Sequence, residues 1–191
     1  THRLVNSLVQ GGYLIRVPDN RYMLSLKFVR LAGIVRSTLG VRDIARSTMT
    51  QIAAYTCETV SLNMISGNSR LCIEVIETPA PLMHIVRPGE QLSLLHGASG
   101  KILLSYMSRT DVRQVLKVSH KNDRPSEEAL FKQLDTFRRQ GYAVTSNERA
   151  LGVMAVSVPL FDASDTVSSC LTLSGPTVRL EHRIDQFIAL M

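Results

Sequence analysis

The stretch LHGASGKILLSYM, Leu95 to Met107, gathers a histidine, a serine and a lysine around four small residues at the start of a helical pattern. Gly97, Ala98, Ser99 and Gly100 leave backbone N–H groups open to an anion such as a carboxylate, because no bulky side chain stands in the way. A helix start whose small residues serve packing alone is the competing reading. GASGK is not a nucleotide-phosphate loop: Leu95 stands where the first glycine is required, and Ile102 follows Lys101 where a magnesium-binding hydroxyl belongs. A hydrolase would pair Ser99 with His96, or Ser174 with Asp162, yet the chain has no G-x-S-x-G turn to present a nucleophile. His84 and His96 lack a partner at metal-ligand spacing, so no metal and no cofactor are expected. Cys57, Cys72 and Cys170 include no C-x-x-C pair and read as small buried hydrophobes.

The elements that position this stretch begin with a basic N-terminal fifth. Residues 1 to 40 hold six Lys or Arg against Asp19 alone, so +5 of the net charge of +6 lies there, facing a polyanion partner. Leu4, Val5, Leu8 and Val9 form one helical stripe, and Gly11-Gly12 suits a left-handed helix end. YLIRV and RYML then flank Pro18-Asp19-Asn20, which predicts a two-stranded hairpin. Helix, double glycine and basic hairpin look like the second half of a winged helix-turn-helix. Arg3, Arg16 and Arg21 are its expected contacts to the DNA backbone. Leu24 to Leu39 repeats apolar residues at close to the helical period and predicts a linker helix, weakened at Gly33. The expected division is 1–23 as the end of the DNA reader, 24–40 as the linker and 41–191 as a sensor.

Within 41–191 the types alternate as in an α+β domain. A helix over Asp43 to Tyr55 precedes strands at Glu58 to Ile65 and Leu71 to Glu77, turned by Gly67-Asn68. Pro79, Pro81 and Pro88 make the next segment, Thr78 to Pro88, a broken or edge piece. Helices over Arg113 to Val118 and Pro125 to Arg139 lead to strands at Tyr142 to Ser146, Val153 to Phe161 and Val167 to Ser174. A last helix begins near Val178. The block GYAVTSNERALGVMAVSVPLFD, Gly141 to Asp162, holds two of these strands around a loop carrying Glu148.

That block resembles the signature of the IclR (isocitrate lyase regulator) family of bacterial transcription factors. The pattern asks for a small residue at Gly141, Asp or Ser at Thr145, Glu at Glu148, small residues at Ala155 and Ser157, and an aliphatic-aromatic-Asp run at Leu160, Phe161 and Asp162. Only Thr145 departs. The Leu95 to Met107 stretch is a second region of resemblance. The resemblance implies a GAF-like effector-binding domain, α+β, with a central antiparallel sheet flanked by helices. It also implies a short strand at Leu82 to Val86 and an effector on one sheet face. Carried over, the helix start supplies Ala98 and Ser99, the loop Thr145, and the last two strands Ala155, Thr172 and Ser174. Leu92 and Val153 form an apolar wall. Thr172 and Ser174 are two apart on a strand, so both face the same way and can donate to one carboxylate. Glu148 braces its loop. Relatives that bind small keto acids carry Asp at the Thr145 position and Cys at the Ala155 position; a hydroxyl and a methyl here imply a less acidic, roomier pocket and a different or larger acid.

The expected function is a ligand-responsive regulator of a catabolic operon, a repressor rather than an enzyme, sensing a small carboxylate. Its expected partners are operator DNA and further copies of itself, as dimer or dimer of dimers. With the first helices of the reader outside these residues, the chain alone is expected to bind operator poorly. No apolar run of about 18 residues and no secretory signal is seen, so no membrane partner and a cytoplasmic location are expected. Two alternatives stay open: a ligand-free oligomerisation or interaction module of the same fold, and a small-molecule hydrolase.

Overall fold

The computed structural model describes residues 2–19, 21–77, 86–119 and 124–191, with the backbone alone for residues 2, 30 and 32–39. The chain divides into two units, Thr1–Ile44 and Ala45–Met191.

In the first unit, helix α1 (His2–Gln10) stops at the double glycine. Gly12 has φ 71°, Gly12 N donates to Val9 O at 2.9 Å, and Tyr13 N reaches back to Leu8 O at 2.8 Å. These two bonds satisfy the last carbonyls in a Schellman arrangement, which needs glycine at the left-handed position. Lys27 Nζ donates to Gly11 O at 2.7 Å and lies 4.4 Å from the centre of the Tyr13 ring, placing a cation at the negative helix end. Strands β1 (Leu14–Val17) and β2 (Arg21–Leu24) form the expected hairpin, with Arg16 opposite Tyr22 and Val17 opposite Arg21. Cross-strand partners share a face and neighbours alternate, so Arg16 and Arg21 project from opposite faces. Asn20 in the turn lies outside the described residues.

Helix α2 (Lys27–Thr56) is one element of 30 residues, about 45 Å long. The two helices expected over 24–39 and 43–55 are therefore continuous. Gly40 lowers helix propensity, but no proline stands near it to break the turn. The helix ends where Cys57 takes φ 57° and its N–H donates to Ala53 O at 2.9 Å.

The second unit is built on a six-stranded antiparallel sheet in the order β5-β4-β3-β8-β7-β6. The strands are β3 (Thr59–Ser66), β4 (Ser69–Ile76), β5 (Gln91–Ser93), β6 (Ala143–Ser146), β7 (Val153–Phe161) and β8 (Val167–Pro176). The central β3 and β8 join the two ends of the domain sequence. β5 was not expected, and the strand expected over Leu82 to Val86 lies, except for Val86, outside the described residues. Helices α3 (Gly97–Tyr106), α4 (Arg109–Val118) and α5 (Glu127–Gln140) build one core with the sheet through Leu94, Ile102, Leu103, Val112, Leu130, Leu134 and Phe137. Ser108 and Ser126 cap α4 and α5 by accepting backbone N–H bonds, and Gly141 ends α5 at φ 80°. Short helices α6 (Thr177–Leu180) and α7 (Ile184–Leu190), joined by one 3-10 turn, lie against β7 and β8 and bury Leu180 and Phe187. The sheet is covered on both sides, since Val60, Leu62 and Leu173 are buried on the face opposite Thr59, Ser61 and Thr172. The architecture is the α+β, antiparallel, helix-flanked fold expected. Among the described residues no helix is long and apolar enough to cross a membrane.

Candidate functional site

The central strands carry hydroxyls where a core strand would carry aliphatic side chains. Thr172 stands between Ser61 on β3 and Ser157 on β7, and Ser174 between Thr59 and Ala155, with Thr145 of β6 next beyond Ala155. Strand alternation puts both rows on one sheet face, which is the face that α3 covers. All six hydroxyl-bearing residues of the two rows are at most 6% exposed. Burial without partners would cost each about 1–3 kcal/mol, so their bonding is the first question.

The network answers it with a fixed direction. Ser157 Oγ donates its single proton to Leu171 O at 3.0 Å, so the 2.9 Å contact with Thr172 Oγ1 must be donated by Thr172. Asn63 Oδ1 accepts from Arg70 Nη1 at 3.0 Å, which turns its amide nitrogen toward Ser61 Oγ at 3.1 Å and Thr172 Oγ1 at 3.5 Å. Thr172 therefore presents a lone pair, and it cannot share its proton with a carboxylate as the strand spacing had suggested.

The start of α3 lies above this face because small residues let it. A Cβ on Gly100 would run into Leu94 O and lie 2.9 Å from Leu94 Cα, and Ser99 O accepts a long bond from Cys170 Sγ at 3.6 Å. His96 precedes the helix without capping it through its side chain. Gly97, at φ 79°, gives its N–H to Glu148 Oε2 at 3.0 Å, while Glu148 Oε1 lies 2.5 Å from Lys101 Nζ. One open amide of the expected anion cradle is thus taken by a carboxylate of the chain itself, and Glu148 braces its loop against the helix.

Beneath α3 is a small cavity of about 30 Å³. Ala98, Ser99, Thr145, Val153, Ala155, Thr172 and Ser174, seven of the eight residues expected at the effector site, line it together. Leu92 lines a neighbouring opening with Ser93 and His96.

Arg70 was not anticipated. It is 3% exposed, lines both openings, and its Nε has no hydrogen-bond partner among the described residues. Burial, then the nearby Arg149 charge, push its guanidinium down to about 10. The signal was present in SRLCIEVI, where the structure buries Arg70, Cys72 and Glu74 and leaves Leu71, Ile73 and Val75 half-buried. Arg149 also lines both openings and pairs with Glu90 at 2.9 Å.

The other sequence candidates lie apart. Asp162 holds the β7–β8 turn, accepting from Ser164 and Thr166 N–H groups, whereas Ser174 is near the far end of β8, about 20 Å along the strand. His84 is outside the described residues, and no cluster of three or more metal-ligating side chains occurs among those described. Cys72 and Cys170 are buried as expected, but Cys57 is exposed, because the left-handed end of α2 turns it outward. Arg3, Arg16 and Arg21 are exposed, Arg21 facing Asp19 at 3.2 Å.

Residues 34–191 match the model of the family described as bacterial transcriptional regulator IclR C-terminal. The chain is 30% identical over 186 residues to the HTH-type transcriptional regulator XynR of Escherichia coli, covering 94% of this chain and 74% of that protein. It is 29% identical over 197 residues to the regulator KdgR of the same organism, covering 100% of this chain and 75% of that protein. The crystal structure of Thermotoga maritima IclR superposes with a TM-score of 0.74 at 26% identity, over 99% of this chain and 79% of that one. The chain belongs to the IclR family of bacterial transcriptional regulators.

Proposed function

We propose that the second unit is the effector sensor of a repressor controlling a catabolic operon. A small organic acid enters the cavity beneath α3 and contacts Ala98, Ser99, Thr145, Ala155, Thr172 and Ser174. The observation that carries this reading is the convergence on one open cavity of buried hydroxyls and a buried guanidinium whose Nε is unbonded among the described residues. A domain kept only for assembly gains nothing from such a costly interior. The same cost disfavours the interaction-module alternative. Helix α1 and the β1–β2 hairpin then serve as the end of a winged helix-turn-helix, with Arg3, Arg16 and Arg21 at operator phosphates. Chains pair as dimers or dimers of dimers, in the cytoplasm, and the protein acts by binding rather than by turnover. Bound effector shifts the arrangement of the paired DNA readers by preferring one of them, a coupling of about 1–3 kcal/mol.

The test is a thermal-unfolding screen of the chain against small aliphatic and aromatic carboxylates. A ligand at about 100 times its Kd adds about 2.7 kcal/mol, a rise in Tm on the order of 5–10 °C for a chain of this size. The expected hit is lost in the Thr172→Val, Ser174→Ala double variant. No rise with any acid returns the assembly-module reading.

A further inference from the structure

Among the described residues that line the cavity, the charged side chains other than Arg70 are each bonded to an opposite charge. Glu148 is matched by Lys101 and the Gly97 N–H, and Arg149 by Glu90. Arg70 has Asn63, a neutral amide, as its hydrogen-bond partner among the described residues, and its Nε–H has none. An arginine buried to this degree is normally held by a carboxylate or phosphate through its planar donor edge. The hydrogen-bond directions set the chemistry of the opposite wall. Thr172 has committed its proton to Ser157 and offers a lone pair, which accepts from a hydroxyl and repels a carboxylate. A second carboxylate at the start of α3 would find the Gly97 N–H already taken by Glu148.

From these two asymmetries we infer that Arg70 is the anion anchor of the cavity and that the effector is a hydroxylated monocarboxylate. Its carboxylate lies on the Arg70 guanidinium and its hydroxyls reach toward Thr172 and Thr145. This rests on the sensor reading above and places the acid group at the β4 side of the cavity, away from the α3 start. Arg70 thus selects for one negative charge, and the hydroxyl row selects for oxygen functions along the rest of the molecule.

The experiment is isothermal titration of the full chain with four six-carbon probes at equal concentration: gluconate, hexanoate, adipate and sorbitol. They separate the carboxylate from the hydroxyls and one carboxylate from two. Gluconate is expected to bind best, with hexanoate and sorbitol each far weaker. Arg70→Met is expected to lower gluconate affinity roughly tenfold to a hundredfold, with Arg70→Lys between the two because it keeps the charge but not the fork. The unliganded Tm of Arg70→Met should hold or rise, since a buried charge without a carboxylate on it has been removed. Undiminished gluconate binding by Arg70→Met overturns the anchor, as does a fall in its unliganded Tm with affinity retained, which makes Arg70 structural. Tighter binding of adipate or hexanoate than gluconate overturns the ligand class while leaving the sensor reading intact. No binding by any probe, joined to a negative carboxylate screen, overturns both.

Discussion

Glu148 and Lys101 close a clamp between the β6–β7 loop and the start of α3: the carboxylate lies 2.5 Å from the ammonium, with side chains 25% and 9% exposed. The other carboxylate oxygen holds the Gly97 N–H. Both partners are shielded enough that removing one leaves the other charge poorly solvated. Glu148→Gln is expected to cost about 1–3 kcal/mol in chemical denaturation, and Glu148→Gln with Lys101→Met less than the sum of the two single variants. Strict additivity would mean that the pair does not act as one unit.

Gly100 tests whether the small residues of the α3 start exist for packing. An added Cβ would run into Leu94 O and lie 2.9 Å from Leu94 Cα, backbone atoms that cannot swing aside. Gly100→Ala should therefore destabilise by about 1–3 kcal/mol. Gly40→Ala, where nothing lies within 4 Å, should stabilise by about 0.5–1 kcal/mol through helix propensity. A Gly100→Ala protein as stable as the parent would show that α3 can move off the sheet.

What the sequence showed depended on how local the cause was. The α1 cap, the hairpin and the α5 ends follow from residues within one turn, and each lies where its glycine or serine predicts. Strand β5 has three residues and takes its identity from pairing with Ser69, Arg70 and Leu71, so no local periodicity announces it. Arg70 was hidden for a related reason. In β4 the aliphatic residues alternate cleanly, and alternation alone would turn them inward. Asn63 and Arg46 reverse that preference by bonding Arg70 and Glu74, two partners that come from other elements. Conversely, Thr172 and Ser174 could be placed on one face from spacing, but not the direction of the Thr172 proton, which depends on Leu171 O across the Ser157 side chain.

The cysteines give a prediction with a pH sign. Burial raises the thiols of Cys72 and Cys170 from 9.0 to about 11, while Cys57 is exposed. The buried pair stays protonated and shielded at pH 8, so Ellman's reagent should titrate one thiol in the native chain and all three in guanidinium. Because the unfolded chain ionises these thiols first, it binds fewer protons than the folded chain between about pH 9 and 11. Their contribution to stability is thus present below about pH 9 and falls as pH rises through that window. Rapid native reaction of all three thiols would mean that the sheet face beneath α3 opens to solvent.

The hairpin makes a prediction about operator binding in a protein extended to the length of its relatives. Each phosphate that the protein no longer neutralises should reduce the slope of log Kd against log salt by about 0.9. Arg16 and Arg21 leave opposite faces of β1–β2, and Arg21 already faces Asp19, so one DNA strand cannot meet both side chains equally. Arg16→Ala is accordingly expected to flatten the slope by about one unit and weaken binding to all sequences alike. Arg21→Ala should flatten the slope by less, its charge at the phosphates being partly offset by Asp19. If both variants flatten the slope equally, the hairpin meets the backbone edge-on and both faces reach phosphates alike. If neither does, the hairpin is not a wing on DNA, and the basic character of the first forty residues must serve another contact.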